Sequence, residues 1–130
     1  MKKKRGFTLI ELLAVIVVLA IIMIIAIPNI LNTMSTSKKQ SLKVYAEKMF
    51  NEAQKSYEEK KLSGETPSTS YSIATLSPNQ SKYSGTVTIV PGTDNTYSMK
   101  ITITDGEFSI FDKAFSALND SSSITEGACS

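Results

Sequence analysis

Residues 7–27 hold only two polar side chains, Thr8 and Glu11; the other nineteen are apolar. No other feature constrains the chain as strongly. As a helix at 1.5 Å per residue this run is about 31 Å long, enough to cross the ~30 Å hydrocarbon core of a bilayer. Lys2, Lys3, Lys4 and Arg5 precede it. A basic cluster at one end of an apolar span predicts that this end stays in the cytoplasm and that everything after the span lies outside. A cleaved secretory signal would share the basic start, but its apolar region is shorter and ends at a small-x-small site. Ser35, Thr36 and Ser37 imitate such a site poorly, so the span is read as retained.

Pro28 and Asn29 close the apolar run. Proline inside a helix removes one hydrogen bond and crowds the preceding turn, so Pro28 predicts either a membrane exit or a helix kink. Leu42, Tyr45, Ala46, Met49, Ala53 and Tyr57 then recur at i, i+3, i+4, i+7 spacing. Lys43, Glu47, Lys48, Glu52, Lys55 and Glu59 take the other face. One helix from residue 7 to about residue 62 is predicted, bent near Pro28, apolar all round at first and amphipathic afterwards. Ser63 and Gly64 supply a stop.

The remaining sequence reads as a small polar head. From residue 66 onward 23 of 65 residues are Ser or Thr. Strand character lies at residues 85–90, 97–104 and 107–111. In the second, Tyr97, Met99, Ile101 and Ile103 alternate with polar side chains, which is a one-sided strand. Residues 91–95 and the pair Asp105-Gly106 are hairpin turn signals. The expected fold class is α+β: a long N-terminal helix packed against a three-stranded antiparallel meander. Residues 66–85 read as an irregular loop. Phe111, Phe115 and Leu118 suggest a short helix after the last strand, and residues 120–130 a loose tail.

Composition removes most chemistry. The chain has no His, no Trp and one Cys, so His-based triads and metal sites, thiolate zinc sites and an intrachain disulfide at Cys129 are excluded. A net charge of +2 does not suggest a nucleic-acid binder. From residue 7 onward there are 10 basic against 12 acidic side chains. Lys38-Lys39 and Lys60-Lys61 read as a solvated helix face, interleaved as the latter pair is with Glu58, Glu59 and Glu65. Asp94, Asp105, Asp112 and Asp120 show no EF-hand spacing and read as turn formers. Tyr45, Phe50 and Tyr57 read as packing residues. No catalytic residue, cofactor or metal is expected.

Glu11 does not fit a plain anchor. A carboxylate inside an apolar helix is costly and by default marks a function with a partner to be named. The stretch Gly6-Phe7-Thr8-Leu9-Ile10-Glu11, behind a basic leader and ahead of an unbroken apolar helix, resembles the type IV prepilin signature. The resemblance covers residues 2–28; the head matches the family only in architecture. It implies a prepilin peptidase that cuts between Gly6 and Phe7 and methylates the new Phe7 amine. It further implies assembly of the processed chain into a helical homo-oligomer by a platform and ATPase. Removing residues 1–6 deletes four cations and creates one amine, which a neighbouring subunit's Glu11 can neutralise, fixing register. On this reading residues 1–6 are a cleaved leader, 7–31 a membrane and filament-core helix, 32–64 its amphipathic continuation and 65–130 the head. The precursor sits in the cytoplasmic membrane and the product is an extracellular pilus serving adhesion, motility or DNA uptake. A pseudopilin of a secretion or competence filament is the alternative within the family. A monomeric anchored binding domain is the alternative outside it. Many pilins close a C-terminal loop with a disulfide, which Cys129 alone cannot do.

Overall fold

A computed structural model describes residues 6–119 and 123–127. Helix α1 (Leu9–Leu62) is followed by β1 (Ser70–Ser72), a single turn α2 (Ile73–Leu76), β2 (Ser84–Pro91), β3 (Tyr97–Thr104) and β4 (Phe108–Ala114). A 3₁₀ helix (Phe115–Asn119) and β5 (Ile124–Glu126) complete the chain. The strands form one antiparallel sheet in the order β1-β2-β3-β4-β5. The fold class is α+β with a β head. The chain divides into two compact units, Met1–Ser37 and Lys38–Ser130.

In the first unit α1 runs unbroken through Pro28. Pro28 has no N–H to give, which leaves the Ile24 carbonyl without its usual helical donor. Downstream, side chains bond the helix's own carbonyls. Asn29 Nδ2 donates to Ile25 O at 3.3 Å, Thr33 Oγ1 to Asn29 O at 2.9 Å and Thr36 Oγ1 to Asn32 O at 2.9 Å.

In the second unit α1 covers one face of the sheet. All six residues of the sequence-derived stripe (Leu42, Tyr45, Ala46, Met49, Ala53, Tyr57) are buried, and Phe50 joins them. They meet Val87, Ile89, Ile101, Ile103, Phe108 and Ile110 in one apolar core. Ile101 and Ile103 are buried, while Tyr97 and Met99 pack at the core's margin, as the alternation of β3 requires. A fully buried Phe50, edge-on to Phe115 at 5.5 Å between centroids, contributes roughly 1.5–3 kcal/mol by burial.

Tight turns set the register. Between β2 and β3, Asp94 and Asn95 both have positive φ (61° and 63°), the backbone a tight hairpin of matching twist demands. Gly92 N–H donates to Thr96 O at 2.7 Å across it. Gly85 opposes Ile103 in β3, and a Cβ there would lie 2.0 Å from Thr102 O. Only glycine permits that approach.

The sheet is larger than the three-stranded meander expected. Tyr71 of β1 is buried opposite Val87, so the stretch read as an irregular loop contains a strand and a helical turn. The tail read as loose contains β5, paired with residues 108–110 of β4. Gly127 N–H donates to Glu107 O at 2.7 Å just beyond it. Ser109, on an outward position, is buried beside β5, with its hydroxyl 3.1 Å from that of Thr125. Phe111 belongs to β4, and the helical turn after it is 3₁₀ from Phe115.

Candidate N-terminal processing and assembly site

The first helical turn is locked by two reciprocal hydrogen bonds. Glu11 N–H donates to Thr8 Oγ1 at 3.3 Å, and Thr8 N–H donates to Glu11 Oε2 at 3.2 Å. Leu12 N–H donates to Thr8 O at 3.2 Å and closes the turn. This is a capping box: Thr8 is the N-cap, Glu11 the third helical residue, and two otherwise orphaned backbone donors are satisfied. The carboxylate also sits at the positive end of the helix dipole. The Thr-x-x-Glu spacing is a sequence signal for this arrangement; reading Glu11 only as an intramembrane charge overlooked Thr8.

Gly6 and Phe7 lie just outside the helix, and both are exposed. Phe7 is 90 % exposed. An uncoiled, exposed backbone ahead of a capped helix is the form in which a peptidase can take a peptide bond. Among the described residues nothing requires glycine at position 6: a Cβ built there meets no atom within 4 Å.

From Phe7 to Leu31 every large apolar side chain is at least half exposed. Helix α1 is long and apolar enough to cross a membrane, with none of its most apolar window buried. An apolar surface this extensive is stable only against lipid or against other protein. A capped, exposed N-terminal helix of this kind is long and apolar enough for a bilayer. Residues 1–27 match the family model of the prokaryotic N-terminal methylation motif, the leader signature of type IV prepilins. No curated protein and no solved structure matches the chain. The N-terminal 27 residues are thus similar to those of type IV pilins and pseudopilins, and that motif is one of structural subunits rather than of an enzyme family. The motif and the apolar helix fit a membrane-anchored precursor.

The structure joins Thr8 to Glu11, leaves Phe7 exposed just ahead of them and places Pro28 further along the same helix. The basic cluster, Asp120 and Cys129 lie outside the described residues. Asp94 sits in the β2–β3 turn, and Asp105 Oδ1 accepts from the N–H groups of Glu107 and Phe108 at 2.9 and 2.8 Å. Asp112 pairs with Lys100 at 3.1 Å. These aspartates thus have separate structural tasks. Among the described residues no group of three or more His, Cys, Asp or Glu side chains is placed to hold a metal ion.

Proposed function

We propose that this chain is the structural subunit of an extracellular type IV pilus. Its leader faces the cytoplasm and its head the outside until a prepilin peptidase cuts between Gly6 and Phe7 and methylates the Phe7 amine. The processed subunit then leaves the membrane and enters a helical filament, driven by an assembly platform and its ATPase. Within the filament α1 exchanges lipid for the α1 helices of other copies, which covers its exposed apolar band. Glu11 neutralises the Phe7 amine of an adjacent subunit in that dry core, where an isolated charge would be strongly disfavoured.

The observations that carry this reading are the prepilin-type motif at residues 1–27 and the exposed apolar band behind it. Among the described residues nothing within 4 Å would meet a side chain at position 6, so a need for glycine there would lie with another protein that approaches the backbone closely. The test is electron microscopy of filaments sheared from cells that produce the chain, with sequencing of the filament subunit. Long surface filaments whose subunit begins at Phe7 support the proposal. A subunit that begins at Phe7 but forms no long surface filaments favours the pseudopilin role. A mature N-terminus after Ser37 overturns both.

A further inference from the structure

One exposed row of α1 runs straight along the head. Val44, Lys48, Asn51, Lys55, Glu58 and Leu62 follow one another at alternating steps of four and three residues, and all six are exposed. The two ends of the row are apolar and differ in shape. At the N-terminal end Val44, 55 % exposed, borders a groove of about 400 Å³ whose lining includes the stacked rings of Tyr45 and Tyr83, 4.0 Å apart. Among the described residues Lys48 is the one charged side chain lining it, and Lys82 lies over the Tyr83 ring at 5.4 Å. At the C-terminal end Leu62, 90 % exposed, is a knob with Glu58 and Glu59 one turn before it. Of the neighbouring cations, Lys61 bonds Asn95 Oδ1 in the β2–β3 turn and Lys60 lies half a turn round the helix. A single exposed leucine is ordinary; the register is not. Val44 and Leu62 are eighteen residues apart, five full turns at 3.6 residues per turn, so they face the same way about 27 Å apart along the axis.

We propose that this row is a docking surface for a second copy of this chain. Leu62 of one copy enters the groove beside Val44 and Tyr83 of the next, and Glu59 meets Lys48 at its rim. Neither Glu59 nor Lys48 is in an ion pair of its own among the described residues. Glu58 takes no part, because Tyr97 and Gln54 already hold its carboxylate. The inference rests on the proposed filament and gives the heads a contact of their own, separate from the apolar band at residues 7–31. Copies anchored through the same N-terminal span lie parallel, so the contact shifts one copy about 27 Å along its neighbour. A knob and a socket at opposite ends of one row make a heterologous contact, which propagates without closing. The charges favour this pairing, since knob against knob or socket against socket would set like charges together.

The test uses the full-length chain in a Cys129→Ser background, in cells that assemble the wild type. Sheared filaments of Val44→Cys/Leu62→Cys, treated with a short bismaleimide, should run on a denaturing gel as a ladder of dimers, trimers and higher species. Either single cysteine should leave the subunit monomeric. A double variant that stays monomeric or stops at dimers overturns the contact while the filament stands; dimers alone are what an antiparallel pair would give. Dimers from a single cysteine place like ends together and also overturn it. Charge reversal gives a second readout. Lys48→Glu and Glu59→Lys should each lower filament yield roughly 2- to 5-fold, the range an exposed ion pair spans, and the two together should restore it. Both residues are exposed, so the thermal midpoint of the detergent-solubilised chain should not move. Wild-type yield from both single variants, or no recovery in the double variant, overturns the pairing. Absence of filaments from the wild type removes the filament reading, and this inference with it.

Discussion

The Tyr97 hydroxyl, at the start of β3, donates a 2.6 Å hydrogen bond to Glu58 Oε1, four residues before the end of α1. Gln54 Nε2 donates to the same carboxylate oxygen at 3.1 Å. The Tyr97 ring also lies 5.1 Å from that of Tyr57. This contact ties the C-terminal turns of the helix to the sheet.

Both partners titrate away from their ordinary values. The Tyr97 hydrogen bond, then that from Gln54, holds the Glu58 carboxyl low; the bond to Glu58, then burial, pushes the Tyr97 phenol up. A raised phenol pKa stabilises the fold fully below the unfolded value, about 10, and that contribution is lost as pH rises through the folded value. A lowered carboxyl pKa stabilises above the unfolded value and is lost as pH falls through the folded one. Tyr97→Phe should therefore lower the thermal midpoint modestly at neutral pH. The difference from wild type should shrink above about pH 10. Thermal melts of the detergent-solubilised chain from pH 3 to 11 check this, and a difference that stays constant across the range contradicts it.

Glu11 has two tasks that substitutions can separate. Glu11→Val removes both the cap acceptor and the charge, while Glu11→Gln keeps an acceptor for Thr8 N–H and loses only the charge. Loss of the charge leaves the Phe7 amine uncompensated, and removing one member of a buried pair typically costs about 3–5 kcal/mol. Both variants should be inserted and cut before Phe7 yet give few or no filaments. Glu11→Asp should assemble poorly. Filament yield measured on sheared preparations decides it: normal yield from Glu11→Gln would remove charge neutralisation from the account.

Gly6→Leu should leave uncut precursor in the membrane with the head folded as before. A Cβ at position 6 meets none of the described residues within 4 Å, so the effect is expected to arise in the peptidase. Immunoblotting for the precursor, with N-terminal sequencing, gives the answer; normal cleavage of Gly6→Leu would contradict the assignment.

The helix around Pro28 should be less regular in a filament than in the isolated subunit. Proline has already removed one helical hydrogen bond there. The Asn29, Thr33 and Thr36 side chains also hold the carbonyls of Ile25, Asn29 and Asn32, so loosening the backbone leaves fewer bare acceptors. A filament reconstruction should show broken α-helical hydrogen bonding within residues 27–32. A continuous ladder through residues 29–32 would rule this out.

Much of the molecule is legible in the chain because it is set by local periodicity. The apolar run, the capping spacing of Thr8 and Glu11 and the buried stripe from Leu42 to Tyr57 all lie along one helix. There, neighbours in space are three or four residues apart. The alternation in β3 and the turn at Asp94-Asn95 are equally short-range. The candidate site is legible for the same reason, since Gly6, Phe7, Thr8 and Glu11 span six consecutive positions.

What only the tertiary structure decided is the outer part of the sheet. Ser70–Ser72 and Ile124–Glu126 have three residues each, too few for any pattern to show even though Tyr71, Ile124 and Thr125 favour strands. They are strands because β2 and β4 present unpaired backbone groups along their edges, and pairing satisfies them. Ser109 is buried although its position faces outward, because β5 lies beside it. The need for glycine at position 85 likewise exists only once Thr102 O stands opposite. Helix formation and turn chemistry were determined by residues close in sequence. Sheet edges and close backbone contacts were determined by segments that meet only after the chain has folded.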